Sequence, residues 1–126
     1  MKQFKKYRSS LIVTMIVAGS IGGLIYLAMQ PGKLDAFAQC LADEEVIYWG
    51  AFWCGACQEQ NRMFGNSKKY LPYIECSTPD GQRQTQQCAD AEIEGYPTWE
   101  FPDGERVTGV VPVQSLSERT GCPLPE

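Results

Sequence analysis

The chain has 126 residues, with 11 basic and 15 acidic side chains and a formal net charge of −4, which suffices for one small domain plus a short accessory segment and excludes two domains. The charge is uneven: residues 1–30 carry Lys2, Lys5, Lys6 and Arg8 and no acid, giving +4, whereas residues 31–126 sum to −8, which argues against nucleic-acid binding, since that needs basic surface to displace counterions from phosphate. Six cysteines and no histidine exclude a cysteine–histidine nucleophile pair, a Ser-His-Asp triad and a mixed cysteine–histidine zinc site, and they point a domain of this size to an oxidising compartment.

Leu11–Met29 is a run of nineteen residues without a charge, about long enough as a helix to cross the hydrocarbon core of a bilayer. Residues 1–10 read as a basic cytoplasmic segment, 11–30 as a transmembrane anchor and 31–126 as the exported domain, because the four bases before the apolar run are retained inside. A cleaved signal peptide is the competing reading. Its apolar core is ordinarily shorter, and the small-x-small pattern Ala36-Phe37-Ala38 falls inside the first helix expected of the domain, so a retained anchor is favoured. Pro31-Gly32 marks the linker.

Leu34, Phe37, Ala38 and Leu41 share one face of a helix, with Cys40 at its edge. Val46–Phe52 is β-branched and aromatic and reads as a buried strand. The chain then passes through Trp53-Cys54 into a helix ending near Gly65. Tyr73–Cys76 is a second short strand and Thr78-Pro79-Asp80-Gly81 a turn. Residues 82–92 are polar and helix-compatible. Thr98–Phe101 and Arg106–Val110 flank Pro102-Asp103-Gly104 as a hairpin. Ser115–Thr120 closes the chain as a helix, with Ser115 and Glu118 spaced as a capping box and Gly121 as its stop. Strands separated by helices, followed by a hairpin, predict an α/β domain with a mixed sheet of about four strands and helices on both faces. The aromatic residues Trp49, Phe52 and Trp99 are assigned to the core, and Lys68 and Lys69 to the solvated surface.

The chemistry centres on Cys54-Gly55-Ala56-Cys57. A thiolate is the reactive form of cysteine, and the unpaired N–H groups of a helix N-terminus favour negative charge. Cys54, at the strand end, is expected to be the exposed nucleophile and Cys57, one turn on, the resolving thiol. Two alternatives stand beside the redox reading: an inert disulfide, and a four-cysteine zinc site of Cys54, Cys57, Cys76 and Cys88. The latter pair lacks the Cys-x-x-Cys spacing, so no metal or other cofactor is assigned. Cys40 and Cys122 lie on or just after the terminal helices, so a bridge between them would pin the two ends together; free thiols are the alternative, since six cysteines allow fifteen pairings.

Phe52-Trp53-Cys54-Gly55-Ala56-Cys57 resembles the aromatic-Trp-Cys-Gly-Pro-Cys centre of the thioredoxin superfamily, and Gly95-Tyr96-Pro97-Thr98 resembles its loop with a cis-proline before a strand. More narrowly, Tyr48–Cys57, Tyr73-Ile74-Glu75-Cys76 with Pro79-Asp80-Gly81, Cys88 and Gly95–Trp99 resemble the periplasmic thioredoxin-like domain fused to bacterial homologues of vitamin K epoxide reductase. The resemblance implies a thioredoxin-like fold and a thiol–disulfide oxidoreductase acting on exported protein thiols. It also implies a quinone-linked membrane partner. Within it Trp53, Tyr96 and Pro97 bind substrate, Pro97 is cis, and Cys76 pairs with Cys88 as a structural staple or a second redox pair. Two departures stand out. Tyr48 occupies the place of a buried acid found in many thioredoxins, and Gly-Ala replaces the usual dipeptide, so no general base for Cys57 is named. A peptide-binding module without turnover is the alternative of another class.

Overall fold

The computed structural model describes the backbone of residues 2–126 and the side chains of residues 8–126. The side chains of Lys2, Lys5 and Lys6, on which most of the positive-inside expectation rests, lie outside the described residues. The chain separates into two units, Met1–Gln30 and Pro31–Glu126. The first is helix α1, Lys2–Met29. Its span Arg8–Met29 has a mean hydropathy of 2.2. That length and composition suit either a single-pass anchor or a signal sequence. The hydroxyls of Thr14 and Ser20 donate to the carbonyls of Ser10 and Ile16 one turn back, so these polar groups are satisfied within the helix.

The second unit runs α2 (Asp35–Asp43), β1 (Ile47–Gly50), α3 (Gly55–Phe64), a 3₁₀ turn (Gly65–Tyr70), β2 (Tyr73–Glu75), α4 (Gln86–Asp90), β3 (Thr98–Glu100), β4 (Arg106–Thr108) and α5 (Val113–Thr120). The sheet order is β2-β1-β3-β4. β1 pairs parallel with β2 and antiparallel with β3, and β3 pairs antiparallel with β4. Alternation along β1 divides the core. Tyr48 faces a cluster with Phe37, Leu41, Phe64, Trp99 and Leu116, while Trp49 faces a smaller one with Cys76, Cys88 and Ile93. This period-two pattern places helices on both sides of the mixed sheet. Gly50 is required by close approach, because a Cβ there would lie 2.5 Å from the Tyr73 ring.

Several local readings are corrected. The first strand is shorter than Val46–Phe52, since the chain turns out of the sheet at Ala51, and Phe52 is 52% exposed rather than core. The helix expected over residues 82–92 is reduced to α4. The Thr78 amide donates to the Arg83 carbonyl and Ser77 bridges Gln84, so the backbone of 83–84 is already engaged. Ser115 is not an N-cap. Helix α5 starts behind Pro112, with no side-chain cap bond, because proline presets the backbone for a helix start. Gly121 does stop α5 with a left-handed φ of 76°. Ala36-Phe37-Ala38 lies inside α2, with Phe37 and Ala38 buried.

Candidate active site

Strand β1 ends at Gly50, and a tight turn delivers Cys54 to the N-cap of α3. The Cys54 sulfur accepts the Cys57 backbone N–H at 3.2 Å, as a capping oxygen would. The position aims unpaired N–H groups of the helix start at the Cys54 sulfur. Among the described residues Cys54 and Cys57 are the free cysteines. Cys54 is 8% exposed and Cys57 1%, so the expected nucleophile is the more accessible thiol but is largely covered. Its cover is Tyr96, whose carbonyl accepts the Cys54 thiol at 3.5 Å. The Tyr96–Pro97 bond is cis, and Pro97 is buried.

Burial, first, and the hydrogen bond with Cys54 push the Cys57 thiol from an ordinary 9.0 up to about 12, against a hydrogen bond from the Ala51 backbone that pulls it down. Beneath it the Tyr48 phenol donates to the Cys57 carbonyl at 3.2 Å and to Asn61 Oδ1 at 3.3 Å. The Tyr48 ring stacks on Trp99 with centroids 4.5 Å apart. Burial, reinforced by the charges of Cys57 and Cys54, raises the Tyr48 phenol above its ordinary value. Tyr48 is therefore a fixed donor at neutral pH and does not stand in for a buried carboxylate.

A carboxylate does sit on the neighbouring strand. Glu75 Oε1 accepts the backbone N–H of Phe52 at 3.2 Å and of Ser77 at 2.9 Å, and Oε2 accepts the Tyr73 hydroxyl at 2.8 Å. It ties the active-site turn to β2, and its negative charge adds to the upward shift of Cys57. Sequence reasoning passed over Glu75. The available signal was an acid inside an otherwise apolar strand, directly before a cysteine.

Trp53 is 53% exposed. Its indole N–H donates to Ser77 Oγ at 2.8 Å, and its ring meets Tyr96 edge-on with centroids 6.0 Å apart. Trp53 and Tyr96 are thus brought together beside Cys54. The other four cysteines are bonded as Cys40–Cys122, with Cα atoms 5.8 Å apart, and Cys76–Cys88, with Cα atoms 5.5 Å apart. With Cys76 and Cys88 joined to each other, the four-thiolate zinc arrangement is not assembled. Among the described residues no cluster of three or more metal-ligating side chains occurs.

The thioredoxin family model matches residues 29–118. The thiol-disulfide oxidoreductase LTO1 of Arabidopsis thaliana is 43% identical over 94 residues, covering 71% of this chain and 24% of that protein, so the chain spans about a quarter of its relative's length. A solved thioredoxin of Malassezia sympodialis, Mala s 13, is 22% identical, with a TM-score of 0.42 over 61% of this chain and 72% of that one.

Proposed function

The chain belongs to the thioredoxin family and is an oxidoreductase, and from that premise we propose that it oxidises exported protein thiols through Cys54 and Cys57. The observation that carries the reading is the free dithiol at the start of α3, with Cys54 held by the Cys57 amide and facing Tyr96. A substrate thiolate attacks the Cys54 sulfur of the Cys54–Cys57 disulfide. The S–S bond breaks, its electron pair goes to Cys57, and the raised affinity of that sulfur for a proton draws one in. A second substrate thiolate then attacks the substrate sulfur of the mixed disulfide, and Cys54 leaves as a thiolate at the helix N-terminus. Two electrons pass from the substrate dithiol to the enzyme. Cys54 carries the mixed disulfide in either direction; when the reduced enzyme meets a substrate disulfide, Cys54 is the nucleophile and Cys57 the resolving thiol, and Trp53, Tyr96 and Pro97 form the substrate cleft.

In this reading the apolar helix is a retained anchor, with its N-terminus cytoplasmic and the domain outside. A quinone-linked membrane partner of the vitamin K epoxide reductase type re-oxidises Cys54 and Cys57. The length and hydropathy of the span, the two bonded cysteine pairs and the resemblance of residues 48–99 support it. Cys57→Ser is expected to trap mixed disulfides through Cys54. Trapping by Cys54→Ser instead would reverse the two roles. Mass analysis of protein taken from membranes should show residues 1–30 intact, and a mature N-terminus near Gln39 would defeat the anchor.

A further inference from the structure

The segment between Cys76 and Cys88 is a fixed structure in its own right. Its disulfide joins the end of β2 to α4. Ser77 bridges Gln84, and the Thr85 amide donates to the Cys76 carbonyl at 2.8 Å. The two bridged residues are the two that reach the active site. Ser77 Oγ accepts the Trp53 indole N–H at 2.8 Å. Gln84 Nε2 donates to the Tyr96 hydroxyl at 2.8 Å and to the Ile93 carbonyl at 2.6 Å. Gly81, at a φ of 71°, comes so close that a Cβ there would touch the Phe52 and Trp53 rings at 3.6 and 3.7 Å. One loop therefore sets both aromatic walls beside Cys54. Trp53, Tyr96 and the loop line an open cavity of about 540 Å³, apolar at Trp53, Ile93 and Tyr96 and polar at Ser77 and at the exposed Arg83, Gln84 and Glu94.

We infer that the Cys76–Cys88 loop selects the substrate: Ser77 and Gln84 are positioning residues that hold Trp53 and Tyr96, and the cavity receives the side chains flanking the reacting cysteine of a polypeptide. The inference rests on the oxidoreductase reading above and adds to it the class of thiol preferred. Polar flanking residues exchange their water contacts for the Arg83 and Glu94 side chains of the cavity, whereas apolar ones cover those charged groups without pairing them. Losing either anchoring bond frees an aromatic wall and blurs the discrimination by the worth of about one hydrogen bond, roughly fivefold.

The test measures kcat and KM of the full-length protein in detergent, with oxidised glutathione as the disulfide that re-oxidises Cys54 and Cys57, for three reductants: a cysteine peptide flanked by glutamines, the same peptide flanked by leucines, and dithiothreitol. Wild type is expected to favour the glutamine peptide through KM by about fivefold. Ser77→Ala and Gln84→Ala bring the two peptides close to parity, mainly by raising KM for the glutamine peptide, and Ser77→Thr, which keeps the hydroxyl, restores the preference. The inference is overturned if wild type shows no preference, if the alanine variants keep it, or if they lower kcat equally for all three reductants with KM unmoved. A wild type that oxidises none of the three overturns the oxidoreductase reading itself.

Discussion

Cys57 and Cys122 are equally buried, each 1% exposed, yet one is a free thiol and the other half of a disulfide. What separates them is the partner within reach. Cys57 lies in the first turn of α3 with Cys54 three residues before it, so a bond between them can open and close within one turn. Cys122 follows the stop of α5 and meets Cys40 on α2 across a sequence separation of 82, so their bond pins the two ends of the domain. Burial alone does not assign a cysteine its role. Helix position and the length of chain enclosed do so.

The largest expected effect tests that division directly. Cys54→Ser should lower thiol exchange by at least about a thousandfold, since it removes the sulfur through which the mixed disulfide with substrate forms. Cys40→Ser with Cys122→Ser should leave exchange within about twofold at a temperature where the domain is folded. A steady-state assay with a reduced protein substrate, and oxidised glutathione to re-oxidise the enzyme, reads both, and an equal loss in the two proteins would erase the distinction.

Next come the stabilities. The loop-entropy model gives about 4.5 kcal/mol for opening Cys40–Cys122 and about 3 kcal/mol for the shorter Cys76–Cys88 loop. Denaturant unfolding of the two double-serine variants should rank them in that order. The reverse order would mean that the smaller cluster around Trp49 depends on its disulfide more than the main core depends on its own.

Glu75→Gln sharpens the comparison from the redox side. It removes a charged acceptor from the Phe52 and Ser77 amides and the Tyr73 hydroxyl, and should cost about 2 kcal/mol. It should also draw the Cys57 thiol downward from about 12, which sulfur-directed titration of the reduced protein detects. A stability loss with no movement of the thiol would confine Glu75 to anchoring the turn.

The smallest effect is in pH. The folded protein holds the Cys57 proton up to about 12, against an ordinary 9.0. Above pH 9 the unfolded state therefore binds fewer protons than the folded one, and stability falls as pH rises. The contribution is fully present below pH 9 and shrinks by about 1 kcal/mol at pH 10. It exists only in the reduced protein. The gap between oxidised and reduced stability should widen from pH 8 to 10. A constant gap would show that Cys57 is not the buried acid described here.

Much of the scaffold was legible beforehand because its signals are local. The face Leu34, Phe37, Ala38 and Leu41, the strand-to-helix passage at Cys54, the hairpin around Gly104 and the stop at Gly121 each depend on residues within one turn or one strand of each other. The errors arose where a distant partner prevailed. Residues 83–85 pair back to 76–78 and leave the helix, Phe52 follows its turn into solvent, and Pro112 displaces the capping role expected of Ser115.

By itself the sequence determined the Cys-x-x-Cys spacing at a strand-to-helix passage, the α/β order of elements and the apolar span near the N-terminus, because composition, period and spacing are carried along the chain. Only the tertiary structure decided which cysteines meet and how far Cys54 is covered. It also decided that Glu75 faces the turn, and that Ser77 and Gln84 grip Trp53 and Tyr96. The physical reason is that these contacts join segments 12 to 82 residues apart. Such contacts form when buried surfaces pack and buried polar groups find partners, and neither requirement leaves a periodic trace in the sequence.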